Sequence, residues 1–104
     1  MREELELLHA ALVDSGDVFR ADLVADALRG DETSLREFLV SNSLWGGAGS
    51  IADEGGSSGG RAGDRRRIES ALVRIGDAQM LEGLVNVRTA GWVEVFRAWQ
   101  RDGI

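Results

Sequence analysis

Residues 64–82 read DRRRIESALVRIGDAQMLE, and their spacing decides the fold class. Ile68, Ala71, Leu72, Ile75 and Ala78 or Gln79 recur at steps of three and four, so a helix gathers them on one face. A half-buried strand needs strict alternation, which this stretch lacks. The spacing predicts a helix from Asp64 to Glu82, stopped by Gly83. Gly76 interrupts it at a cost of about 1 kcal/mol relative to alanine. That cost implies either close helix contact at Gly76 or a break with Asp77 capping a new turn.

The same period extends in both directions. Downstream, Leu84 to Arg88 is a connector, with Leu84 to Val87 able to form a short extended piece. Thr89 then caps a last helix whose stripe is Trp92, Phe96 and Trp99, ended by Gly103. In a chain with three tryptophans and three phenylalanines, this stripe is expected to form much of the core. Upstream, Leu5, Leu8 and Leu12 mark a first helix, with Gly16 as its left-handed stop and Asp17 as the cap of the next. Residues 18–29 carry two apolar rows, Val18, Ala21, Ala25 and Leu28 beside Phe19, Leu23 and Ala27. A helix apolar on two sides packs between neighbours, so this one is expected at the centre. Gly30 ends it. Asp31, Thr33 or Ser34 caps a third helix, Ser34 and Glu37 having capping-box spacing, with Leu35, Phe38, Leu39 and Asn42 inward.

The pattern stops at Trp45. Residues 46–63 hold eight of the fourteen glycines, and ordering glycine carries the largest backbone entropy cost. Residues 45–54 have enough anchors to be ordered, whereas 55–63 read as a flexible linker. The expectation is therefore an all-α single domain over residues 1–104: a compact bundle of about five short helices, with a Gly-rich loop between the third and fourth.

Composition narrows the function classes. With no cysteine, disulfides and thiolate metal sites are excluded, and the single histidine, His9, falls on the apolar face of the first helix. No apolar run is long enough for a membrane span, and the acidic N-terminal sequence is unlike a signal peptide, so the expected location is cytoplasmic. All twelve basic residues are arginine, pointing to a GC-rich bacterial genome. The net charge of −6 disfavours general nucleic-acid binding. It is unevenly spread: twelve carboxylates against four arginines in residues 1–54 give −8, and six against eight in 55–104 give +2. Attraction between the halves is the simplest reading.

Residues with chemical potential are few. Gly47, Gly49 and Ala52 have dinucleotide-fingerprint spacing, but no strand precedes them, as that motif requires. Without lysine there is no P-loop. Trp45 beside Gly46 and Gly47 either anchors the loop or offers an aromatic to a partner, with Asp53 nearby. Asp22 and Asp26 lie one turn apart on one helix face, a solvated acidic surface rather than a metal site. Arg65, Arg66 and Arg67, with Arg61 just upstream, sit at a helix N-terminus against the helix dipole. They suit either an acidic or phosphate-bearing partner or the acidic half of the chain.

No catalytic set, cofactor site or metal site is expected. The reading is a small acidic protein-interaction module, with an immunity-protein or antitoxin type of neutraliser as the concrete form. Its expected contacts are Trp45, Gly46, Gly47, Asp53, Asp22 and Asp26. Two alternatives stand beside it: a phosphate- or nucleic-acid-contacting accessory protein working through Arg61 and Arg65 to Arg67, and a homodimer through Trp92 and Trp99.

Overall fold

Every long run with helical spacing folds as a helix. The computed structural model describes residues 1–56 and 62–103. In order, the elements are α1 (Arg2–Asp14), α2 (Val18–Arg29), α3 (Glu32–Leu39), α4 (Asn42–Trp45), α5 (Ile51–Glu54), α6 (Ala62–Glu82) and α7 (Thr89–Asp102). Among the described residues there is no strand, Leu84 to Asn86 being irregular, and no helix is long and apolar enough to cross a membrane.

The caps explain the boundaries. The Asp17 carboxylate accepts a hydrogen bond from the Arg20 amide at 3.3 Å and starts α2. Gly16, at φ +80°, lets the Asp17 amide reach back to the Leu12 carbonyl at 3.0 Å and so closes α1. Asp31 caps α3 through the Ser34 amide at 2.8 Å, so Ser34 lies inside the helix and the Ser34–Glu37 capping box is not formed.

Two expectations are corrected. The described residues form seven helical segments rather than five, because α4 and α5 are single turns within and beside the segment read as one loop. Ser41 starts α4 through the Leu44 amide and Ser50 starts α5 through the Asp53 amide. A single turn has no period to read, so only its capping serine announces it. At the far end α6 already begins at Ala62, shortening the expected 46–63 loop, and Gly55 and Gly56 are buried. Residues 57–61 of the expected linker, Arg61 among them, lie outside the described residues.

The second correction concerns the centre. α1 packs against both α2 and α6, and α6 also packs against α7, so α1 and α6 are the inner helices. α2 buries only Ala21, Val24 and Ala27, leaving Val18 and Phe19 exposed. Small residues on that one face let α2 lie close to α1, Leu23, Ala25 and Leu28 are half-buried at its edges, and the apolar side chains of its first turn, Val18 and Phe19, stay exposed.

The core joins Leu5, Leu8 and Leu12 of α1 to Ile68, Leu72 and Ile75 of α6 and to Phe96 of α7. Helix α6 runs unbroken through Gly76, which takes the close-contact reading. A Cβ at Gly76 would collide with the Val93 side chain of α7. Trp45, wholly buried, sits over this crossing. Its indole N–H donates to the Leu39 carbonyl at 3.0 Å and the Gln79 Oε1 at 2.9 Å. Gln79, also wholly buried, donates through Nε2 to the Leu39 carbonyl at 2.6 Å and the Leu84 carbonyl at 2.9 Å. The Trp92 indole completes the set by donating to the Trp45 carbonyl at 3.0 Å. Leaving buried polar groups unmatched costs roughly 1–3 kcal/mol each. Gln79→Met keeps the volume but strips both side-chain donors from these carbonyls, and is expected to lower unfolding free energy by about 2 kcal/mol or more. Urea unfolding of the two proteins checks this, and equal midpoints would show that the network contributes nothing.

Candidate functional site

The contacts expected from sequence do not form one patch. Trp45 and Gly46 are interior, so Trp45 takes its anchoring role and offers nothing to a partner. Gly47 is exposed beside the Arg88 guanidinium. Asp53 is exposed but turned to its own turn, where Oδ2 accepts from the Gly49 amide at 3.3 Å. Asp22 and Asp26 are exposed on α2, Asp26 paired with Arg29.

The outer face of α2 brings a different set together. Residues three and seven apart share a helix face, so Phe19, Asp22 and Asp26 form one stripe, directly opposite Ala21, Val24 and Ala27. Phe19 is 71% exposed and Val18 64%, and Val13 and Asp14 at the end of α1 are exposed as well. Sequence reasoning placed Phe19 in an inner row. The signal against that was present: Phe19 precedes Asp22 by three residues, so any rotation hiding the phenyl ring drags two carboxylates toward the core.

This face is held rigidly from below. Asp17, only 4% exposed, accepts from Arg20 Nη1 at 3.1 Å and from the Gly56 amide at 3.0 Å. Arg20 in turn donates through Nε to the Gly49 carbonyl at 3.1 Å and through Nη2 to Glu54 at 3.0 Å. One carboxylate and one guanidinium thus tie the first turn of α2 to both ends of α5.

The arginine cluster divides in three directions. Arg65 is an internal strut: it donates to the Gly55 and Ala52 carbonyls at 2.7 and 2.8 Å, pairs with Glu69 at 3.1 Å and lies over the Phe96 ring at 5.6 Å. It satisfies the C-terminal carbonyls of α5 and is removed from the expected anion-binding set. Arg66 donates to the Gly103 carbonyl at 2.5 Å, and Arg67 pairs with Asp14 at 2.7 Å and Asp64 at 3.7 Å. These two, with Leu7, Ser70, Ala71 and Arg74, line an open groove of about 310 Å³ between α1 and α6. Arg74 was not among the residues singled out, although it follows Arg66 and Ser70 at four-residue steps on the same face.

No family model, curated protein or solved structure matches this chain. The surfaces must therefore be read from their own chemistry. Among the described residues no group of three or more His, Asp or Glu side chains is placed to hold a metal ion.

The buried Arg65–Glu69 pair has a pH signature. Burial pushes the Glu69 carboxyl above its ordinary 4.5, with Arg65 pulling the other way, and burial likewise pushes the Arg65 guanidinium down. Among the described residues Glu69 Oε1 has no hydrogen-bond partner. A carboxyl with a raised folded-state pKa favours folding while protonated, and that contribution is lost as pH rises from 4.5 through the folded value. Relative to Glu69→Gln, which does not titrate, the natural protein should therefore lose stability on going from a pH below 4.5 to one above it. Parallel urea titrations at the two pH values check the sign, and a gap moving the other way would show that Arg65 outweighs the desolvation.

Proposed function

We propose that this chain is a protein-interaction module that docks a partner with a basic, partly apolar surface on the outer face of α2. The observation that carries the reading is Phe19, a phenyl ring 71% exposed with Asp22 and Asp26 behind it on the same stripe. Aromatic side chains supply the dominant contacts of many interfaces when a partner desolvates them, and surrounding charge governs approach and choice of partner. Asp22 and Asp26, the latter paired with Arg29, place carboxylates on this face, in keeping with the N-terminal half, which carries −8. A rigid acidic surface with an apolar centre suits capping a basic site on another protein, in the manner of an immunity protein or antitoxin neutraliser.

The test uses tagged full-length chain and lysate of the source cell. Wild-type protein is expected to retain a basic protein whose recovery falls with salt. Phe19→Ala should reduce its capture by about tenfold or more, and Asp22→Asn/Asp26→Asn should weaken capture at low salt and flatten its dependence on salt. Circular dichroism should show all variants folded, since exposed substitutions alter stability by only about 0.5 kcal/mol. Undiminished capture by Phe19→Ala would remove α2 as the docking face.

A further inference from the structure

The groove between α1 and α6 has a composition that the α2 interface does not use. Its walls are Arg66, Arg67 and Arg74, its floor Leu7 and Ala71, and Ser70 stands midway along α6, one turn from Arg66 and one from Arg74. Three guanidinium groups gathered on one face repel one another unless something answers them. Arg67 is answered by Asp14 and Asp64. Among the described residues Arg66 donates to a neutral carbonyl, that of Gly103, and feels the Glu69 charge without forming an ion pair, and Arg74 has no hydrogen bond or ion pair. Glu4 feels the Arg74 charge but lies 3.4 Å from the Met1 amino nitrogen.

We propose that this groove binds a phosphate monoester whose organic part is apolar. Arg66 and Arg74, which form no ion pair among the described residues, carry two positive charges, matching a phosphate dianion and exceeding a single carboxylate. Each guanidinium has five N–H donors in a planar fork suited to phosphate oxygens, and one or none of them is in use at Arg66 and Arg74. The Ser70 hydroxyl accepts from Gln100 Nε2 at 2.9 Å, which leaves its own O–H to donate to the ligand. Leu7, 46% exposed, and Ala71 supply an apolar floor for the ester group. The volume of about 310 Å³ fits a small aryl or alkyl phosphate. Arg66 and Arg74 are about 12 Å apart along the axis, and the anion sits between them over Ser70.

Phenyl phosphate and inorganic phosphate are the probes, titrated into the full chain by calorimetry and by amide chemical shifts. Phenyl phosphate is expected to bind more tightly than inorganic phosphate and to shift amides of residues 66–74 and of Leu7. Arg74→Ala should weaken both by about tenfold, Leu7→Ala should weaken only phenyl phosphate, and Arg36→Ala on α3 should change neither. Phe19→Ala should also change neither, which separates this site from the α2 interface. Absence of binding at millimolar phenyl phosphate would overturn the proposal, as would equal affinity in Arg74→Ala. An Arg74-dependent response to a single-stranded oligonucleotide, with none to phenyl phosphate, would also overturn it and identify a nucleic-acid contact instead.

Discussion

One buried carboxamide organises the second half of this protein. Gln79 on α6 reaches the end of α3, the indole of α4 and the connector to α7 at once. Each of these groups would otherwise be a polar atom stranded among Leu, Ile and Phe side chains. In a low-dielectric interior such a network stabilises only when every member is matched, and here the two ends of α3–α4 and α6–α7 meet at its atoms. Gly76, one turn earlier on α6, supplies the steric half of the arrangement by letting Val93 and Trp45 approach the α6 backbone. Shape and hydrogen bonding therefore select one packing of α4 and α7 against α6.

The N-terminal half is held by a second, charged device. Asp17 and Arg20 connect the start of α2 to the turns around α5, and Arg65 meets α5 from the other side through its last carbonyls. The polarity of the two halves is resolved largely through such contacts to backbone carbonyls, with Arg67–Asp14 as an acid–base pair that crosses between them. Attraction between the halves is real but local. Most carboxylates of α1, α2 and α3 still face outward, and the acidic character of that surface survives folding.

The all-helical architecture was legible because amphipathic period survives without knowledge of neighbours. Leu5, Leu8, Leu12, Ile68, Leu72 and Ile75 are all buried as their spacing requires. The placement of α2 was not legible, since two apolar rows in a sequence do not say how many neighbours will cover them. Single turns at α4 and α5 have no period, and the side-chain partner of the Trp45 indole lies 34 residues away, beyond any local pattern. Of the candidate site, Asp22 and Asp26 were visible as an exposed pair, while Phe19 beside them was hidden by the habit of assigning aromatics to the core. The arginine run was visible as a cluster. Its division into an inward strut at Arg65 and a groove at Arg66, Arg67 and Arg74 depends on how α6 is rotated against α1, which spacing alone leaves free.

The placement of the tryptophans shapes how this molecule reports on itself. Trp45, Trp92 and Trp99 all lie on α4 and α7, on the side built around α6, and Trp92 and Trp99 flank the Phe96 ring at 5.4 and 5.8 Å. Helices α1, α2 and α3 contain no indole at all. Intrinsic fluorescence consequently watches one wall of the bundle and is blind to fraying of the acidic one, where the backbone amides of α2 would have to serve as witnesses.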